Sequence, residues 1–183
     1  MGRPDLLRLL SRWRIDIATV AAIPAVLIAQ PTEAAIVRYL PLLFAGIALR
    51  TWARGHLDRA LLTTSGPYTQ VRHPLYVGSF LMGLALVLMM RLPLLVLLYV
   101  VVFVGMYWPK AIREEKFLHE RCGAEWERYA ARVGAVLPRL QFRRSPVEGI
   151  DRHFAWRRVV GHREWKTWLG AVTAVAGLWL RAR

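Results

Sequence analysis

Two uncharged stretches, Pro74 to Met90 and Leu92 to Pro109, are separated by the single residue Arg91. Each holds about 17 residues, close to the ~20 that a helix needs to cross a ~30 Å hydrocarbon core. With Pro93 just beyond Arg91, the pattern predicts a tight helical hairpin in a membrane. Two further gaps in charge lie upstream, Ile17 to Thr32 and Ala34 to Leu49, the second broken only by Arg38. An arginine near a helix end can lay its stem along the apolar phase and keep its head at the boundary. Predicted spans therefore cover about 15–30, 34–50, 74–90 and 92–109. The run from Thr167 to Leu180 is shorter, about 21 Å as a helix. Over 165–180, flanked by Trp165, Trp168 and Trp179, it is either a short span or a helix lying in the interface.

Composition supports a membrane protein. Of the 183 residues 56% are hydrophobic, yet the formal net charge is +14. A soluble globule has little use for both, whereas a small membrane protein with basic ends needs both. Cys122 is the one cysteine, which excludes an intramolecular disulfide, and His119 with Cys122 forms a lone H-x-x-C with no second metal-binding pair. Arg3, Arg8, Arg12 and Arg14 before the first apolar stretch resemble a signal peptide, but Leu27-Ile28-Ala29 is a poor cleavage site, which favours a retained span.

Orientation follows from the basic residues. The N-terminal tail, the loop with Arg50, Arg54, Arg59 and Arg72, and the segment 110–164 are rich in them; the turns at Gln30 to Glu33 and at Arg91 are nearly bare. The rich segments are expected together on the cytoplasmic side. The stretch 151–168, with its interleaved arginines and tryptophans, then reads as a surface for anionic lipid headgroups rather than for nucleic acid.

Two polar stretches stand out against this frame. Gly66 to Gly78 reads GPYTQVRHPLYVG, placing Arg72-His73-Pro74 directly before an apolar run. Trp108 to Pro138 reads WPKAIREEKFLHERCGAEWERYAARVGAVLP. In the second, Lys110 and Glu114 share a helix face, Glu115 and His119 the next. Gly123 is a natural helix stop, and Trp126, Tyr129 and Val133 form one side of a following helix. Taken alone, that stretch reads as a juxtamembrane helix pair with solvated charges.

Together, the two halves around a membrane hairpin resemble the isoprenylcysteine carboxyl methyltransferase family, whose relatives include phospholipid methyltransferases. The resemblance covers roughly 57–140 and rests on Gly66, Tyr68, Arg72, His73, Pro74, Tyr76 and Gly78, then on Glu114, Glu115, Leu118, Gly123, Glu125, Trp126, Tyr129, Arg132, Val133 and Pro138. It implies an all-α, polytopic membrane enzyme of four to five spans, with a cytoplasmic helical pocket for S-adenosylmethionine and no Rossmann domain. The chain contains no G-x-G-x-x-G among its 13 glycines. By the resemblance, Leu61, Leu62, Tyr68, His73, Pro74, Leu75 and Tyr76 line the cofactor pocket, and Glu114 meets the methionine end. Ala60 stands where the family often has histidine, and Trp126 where tyrosine is more usual.

The implied reaction methylates a lipophilic substrate that enters from the bilayer. A carboxylate acceptor is ionised at neutral pH and needs no base. It needs a cation to orient it, for which Lys110 and Arg132 are the candidates. A phospholipid or small-lipid N- or O-methyltransferase is the alternative, and it would need a base such as Glu115 or His119. A basic membrane subunit without catalysis is the second alternative.

Overall fold

The computed structural model describes residues 28–58, 62–139 and 153–183. The predicted span 15–30 lies almost wholly outside them, as do Leu61 and all of residues 140–152. Among the described residues the chain is all-α. The order is α1 (Glu33–His56), a 3-10 turn (Gly66–Thr69), α2 (Pro74–Met89), α3 (Pro93–Cys122), α4 (Ala124–Arg132), α5 (Trp156–Gly161) and α6 (Trp165–Ala182).

Local signals set the helix ends. Thr32 caps α1, its hydroxyl accepting from the Ala35 amide at 3.2 Å. Pro74 and Pro93 open α2 and α3 at the first helical turn, where a missing N–H costs nothing. Gly123, at φ 51°, stops α3 and starts α4 as expected. One helix runs longer than expected, and α3 runs on past its apolar stretch to Gly123 as the helix faces of its charged half imply. α1 continues to His56, so Arg50 and Arg54 are helical rather than in a loop. α3 continues through Pro109 to Cys122, 30 residues or ~45 Å.

α1 and α3 are each long and apolar enough to cross a membrane, and α2 is a shorter apolar helix. α3 has no buried residue at all. Leu94, Leu97, Leu98, Val101, Val102 and Val104 are exposed along it. A core helix of a water-soluble protein would bury such a face, and an apolar surface of this extent suits lipid.

The core joins α1, α2 and α6 through Ile36, Leu43, Met82, Ala85, Met89, Ala171 and Leu178. α1 and α2 approach where Gly46 faces Gly78: a Cβ at Gly78 would lie 2.9 Å from the Gly46 carbonyl oxygen. Small residues at such a crossing let two backbones come together. α6 runs antiparallel along α1. Trp168 Nε1 donates to Thr51 Oγ1 at 3.1 Å near one end, and Arg181 Nε to the Ala29 carbonyl at 3.1 Å near the other. α3 stacks on α2 through aromatics, with Tyr99 donating to the Phe80 carbonyl at 3.0 Å.

The Gly46–Gly78 crossing yields a prediction. Gly78→Val should destabilise the fold by about 1–3 kcal/mol through overpacking. Thermal unfolding in detergent reads this; an unchanged midpoint would mean that the two helices do not meet so closely.

Candidate functional site

The Arg-His-Pro turn is shaped by its neighbours. Gly66 has φ +60° and lies against the His56 ring, so a side chain there would be both strained and blocked. The chain beyond pairs with the segment that follows α4. Val71 bridges to Gly134, Arg72 N–H donates to the Gly134 carbonyl at 2.7 Å, and His73 N–H to that of Ala135 at 3.0 Å. Tyr129 completes the seam, its hydroxyl donating to the Tyr68 carbonyl at 2.8 Å. Tyr129 and Val133 are buried with Leu62, and Trp126 packs beside them.

Arg72 ties three elements at once. Its Nε donates to Glu115 Oε1 at 2.9 Å, and its Nη1 donates to the carbonyls of Ala130 and Val133 at 3.0 and 2.7 Å. It therefore fastens α3, α4 and the turn. His73 Nε2 lies 3.0 Å from the same Glu115 oxygen. A carboxylate only accepts, so that nitrogen carries the proton. The His73 ring stacks on Tyr76 at 5.3 Å between centroids, and Tyr76 donates to Glu114 Oε2 at 2.6 Å. Lys110 Nζ sits 4.9 Å from the Tyr76 ring centroid, a cation–π contact. Glu115 is thus a brace, while half-exposed Glu114 is held by Tyr76.

These parts enclose a cavity of about 570 Å³, in the range of small-molecule sites. Leu62, Tyr68, His73, Pro74, Leu75, Tyr76, Lys110 and Glu114 all lie on its wall. Leu61 lies outside the described residues. Arg132 is exposed at the end of α4 and is not part of the wall; the face of α4 that carries Trp126 and Tyr129 turns inward. Arg50 and Arg54 were not anticipated. Their four-residue spacing, which puts both on one helix face, was the available signal.

Among the described residues, two buried polar atoms on this wall, the Tyr68 hydroxyl and Trp126 Nε1, find no hydrogen-bond partner. Buried polar groups are nearly always paired, so each calls for an occupant of the cavity. Burial pushes the ionisation of Tyr68 well above the ordinary tyrosine value, keeping its hydroxyl a donor. Two donors, a carboxylate at Glu114 and apolar leucines suit a ligand with a cationic amine, polar acceptors and an apolar body. S-adenosylmethionine fits that description.

Residues 55–125 match the family described as phospholipid methyltransferase. This segment belongs to that family. The isoprenylcysteine-type relatives that the motifs suggest are also found: the chain is 30% identical over 107 residues to a probable protein-S-isoprenylcysteine O-methyltransferase of Oryza sativa subsp. indica, covering 58% of this chain and 56% of that one. It is 40% identical over 84 residues to the nickel-cobalt-cadmium resistance protein NccN of Alcaligenes xylosoxydans xylosoxydans, covering 46% and 39%. To the cobalt-zinc-cadmium resistance protein CzcN of Cupriavidus metallidurans it is 32% identical over 111 residues, covering 61% and 51%. The chain thus spans roughly 40–55% of the length of these relatives. No solved structure matches it.

The phospholipid methyltransferase segment includes the turn and the Glu-Glu helix but ends before Trp126, so the cavity is closed by residues beyond it. Arg72→Ala should strip Glu115 of a partner and orphan two carbonyls, destabilising the protein by about 1–3 kcal/mol. Loss of thermal stability together with cavity-ligand affinity is the expected result. Full retention of both would contradict the bracing role.

Proposed function

We propose that this protein is an S-adenosylmethionine-dependent methyltransferase acting on the carboxylate of a lipophilic, isoprenylcysteine-like substrate. One observation carries the proposal: the Arg-His-Pro turn and the Glu-Glu helix, 38 residues apart at Tyr76 and Glu114, close on one cavity that holds two orphaned buried donors. In this reading α1, α2, α3 and α6 cross the bilayer, and the cavity opens at the cytoplasmic boundary among the basic segments. Anionic lipid headgroups are then the natural neighbours of α5.

Bound in the cavity, S-adenosylmethionine would supply a methyl group activated on a sulfonium. Glu114 would hold the ammonium of its methionine end, with Tyr76 fixing that carboxylate from behind. The Tyr68 hydroxyl and Trp126 Nε1 would donate to acceptors of the nucleoside. Leu62, Leu75 and Leu118 keep water from the reacting region.

Methyl transfer from a sulfonium to a carboxylate turns two opposite charges into neutral products. Dispersal of charge favours a dry site whose fixed groups hold the reactants in line. A pocket at the membrane boundary provides that dryness and admits an apolar tail from the side. An ionised carboxylate is already a nucleophile, so the wall must provide a cation to orient it rather than a base; Lys110 and the α1 arginines stand on it. A lipid N- or O-methyltransferase is the competing reading. The resistance named in two relatives is theirs, and no substrate is taken from it.

Product chemistry separates these readings. Supplied with an S-farnesyl thioether acid and methyl-labelled cofactor, the membrane-embedded protein should form a base-labile ester that releases labelled methanol. His119→Gln should change kcat/KM by less than about threefold, whereas loss of a working general base costs ~10²–10⁴-fold. A base-stable product, or dependence on His119 with cofactor binding intact, would favour the competing reading; no transfer to any lipophilic acceptor would contradict the enzyme.

A further inference from the structure

Outside the two motifs, the most heavily invested polar group is Glu164. It precedes α6, far in sequence from the motifs, and its side chain is only 2% exposed. A buried carboxylate is costly unless paired. Here each oxygen has its own partner: Arg50 Nε donates to Oε1 at 2.7 Å and Arg54 Nε to Oε2 at 3.1 Å. Arg50 Nη1 also donates to the Ser79 hydroxyl, which in turn donates to the Leu75 carbonyl at 2.7 Å.

One carboxylate needs one guanidinium. The second leaves the cluster with an excess positive charge, and both arginines lie on the cavity wall. Arg54 engages Glu164 through Nε, leaving its terminal nitrogens, with the side chain 22% exposed, for a ligand in the cavity. A guanidinium held by one edge presents the other as a planar fork suited to a carboxylate.

We infer that Arg54, with Arg50 beside it and Glu164 holding both, forms the subsite that binds the acceptor's carboxylate. The inference rests on the methyltransferase reading for its substrate but not for its geometry. It assigns the anionic end of the acceptor to α1 rather than to Lys110, whose ammonium lies over the Tyr76 ring. The excess of one positive charge suits a monoanion. Glu164 is a positioning residue here: it acts through the arginines and is not itself on the wall.

The competing account is a staple, in which the cluster only fastens the start of α6 to α1. Binding discrimination separates the two without requiring turnover. Titration of S-farnesylthioacetic acid and of its primary carboxamide into the full chain in nanodiscs should show the acid binding at least about tenfold more tightly. Arg54→Gln should abolish that preference while S-adenosylhomocysteine affinity stays within about twofold. Arg54→Lys, keeping charge but not the fork, should retain part of it and covers the case in which the glutamine variant fails to fold. Glu164→Gln should weaken the preference by loosening both arginines.

Equal binding of acid and amide by the wild type, binding of neither, or an undiminished preference in both Arg54 variants overturns the inference. Parallel loss of cofactor affinity and thermal stability in both variants assigns the cluster to the staple and overturns it too. An Arg54-dependent preference for the acid in a protein that binds no S-adenosylhomocysteine would uphold the subsite and remove the methyltransferase reading.

Discussion

Arg72 and Glu115 hold the site together. The guanidinium reaches α3 through the carboxylate and α4 through the carbonyls of Ala130 and Val133, while its own backbone pairs with Gly134. His73 adds its ring N–H to the same carboxylate oxygen, and that ring supports Tyr76, which fixes Glu114. The chain of contacts thus runs from a structural brace to the one half-exposed carboxylate in reach of a ligand. Partly buried ion pairs with several hydrogen bonds are costly to break from one side, which makes them good fixtures of geometry. In this way a pocket arises, among the described residues, without a nucleotide-binding sheet: two loops and two helix ends are locked together at the polar ends of apolar helices.

The rest of the bundle serves that lock. The Gly46–Gly78 crossing brings α1 against α2, so that Arg50 and Arg54 stand beside the turn that opens α2. α6 then returns along α1, and Glu164 at its start closes the cluster with Arg50 and Arg54. α3 contributes one aromatic face to α2 and its charged second half to the cavity, leaving leucines and valines from Leu94 to Val104 exposed. Charged groups lie at both flanks of the cavity, with leucines and aromatics between them. That distribution suits a substrate with an ionic head and an apolar tail.

Sequence shows much of this, but unevenly. Gaps in charge locate α2 and the start of α3, and Gly123 marks the α3–α4 break, because apolar runs and glycine stops are local signals. The length of α1 is misjudged for the same reason: a charge ends an apolar run but does not end a helix, and α1 continues past Arg50. The motifs bring Tyr68, His73, Tyr76 and Glu114 to one wall. Arg132 lies off that wall, because which face of a nine-residue helix turns inward depends on what it packs against, here Leu62 and the Tyr68 carbonyl. The partnership of Arg50 and Arg54 with Glu164 is a tertiary contact across more than a hundred residues. No spacing rule reports it. The spacing of the two arginines was visible; their carboxylate was not.

The central claim is that the cavity between the Arg-His-Pro turn and the Glu-Glu helix binds the methionine end of the cofactor. Calorimetric titration of S-adenosylhomocysteine into the purified protein, wild type and Glu114→Ala, tests it most directly. The account predicts saturable binding by the wild type and at least about tenfold weaker binding by the variant, a loss of ~1.4 kcal/mol. A folded wild type that binds nothing, in detergent and again in nanodiscs, or a variant that binds as well as the wild type, would contradict it.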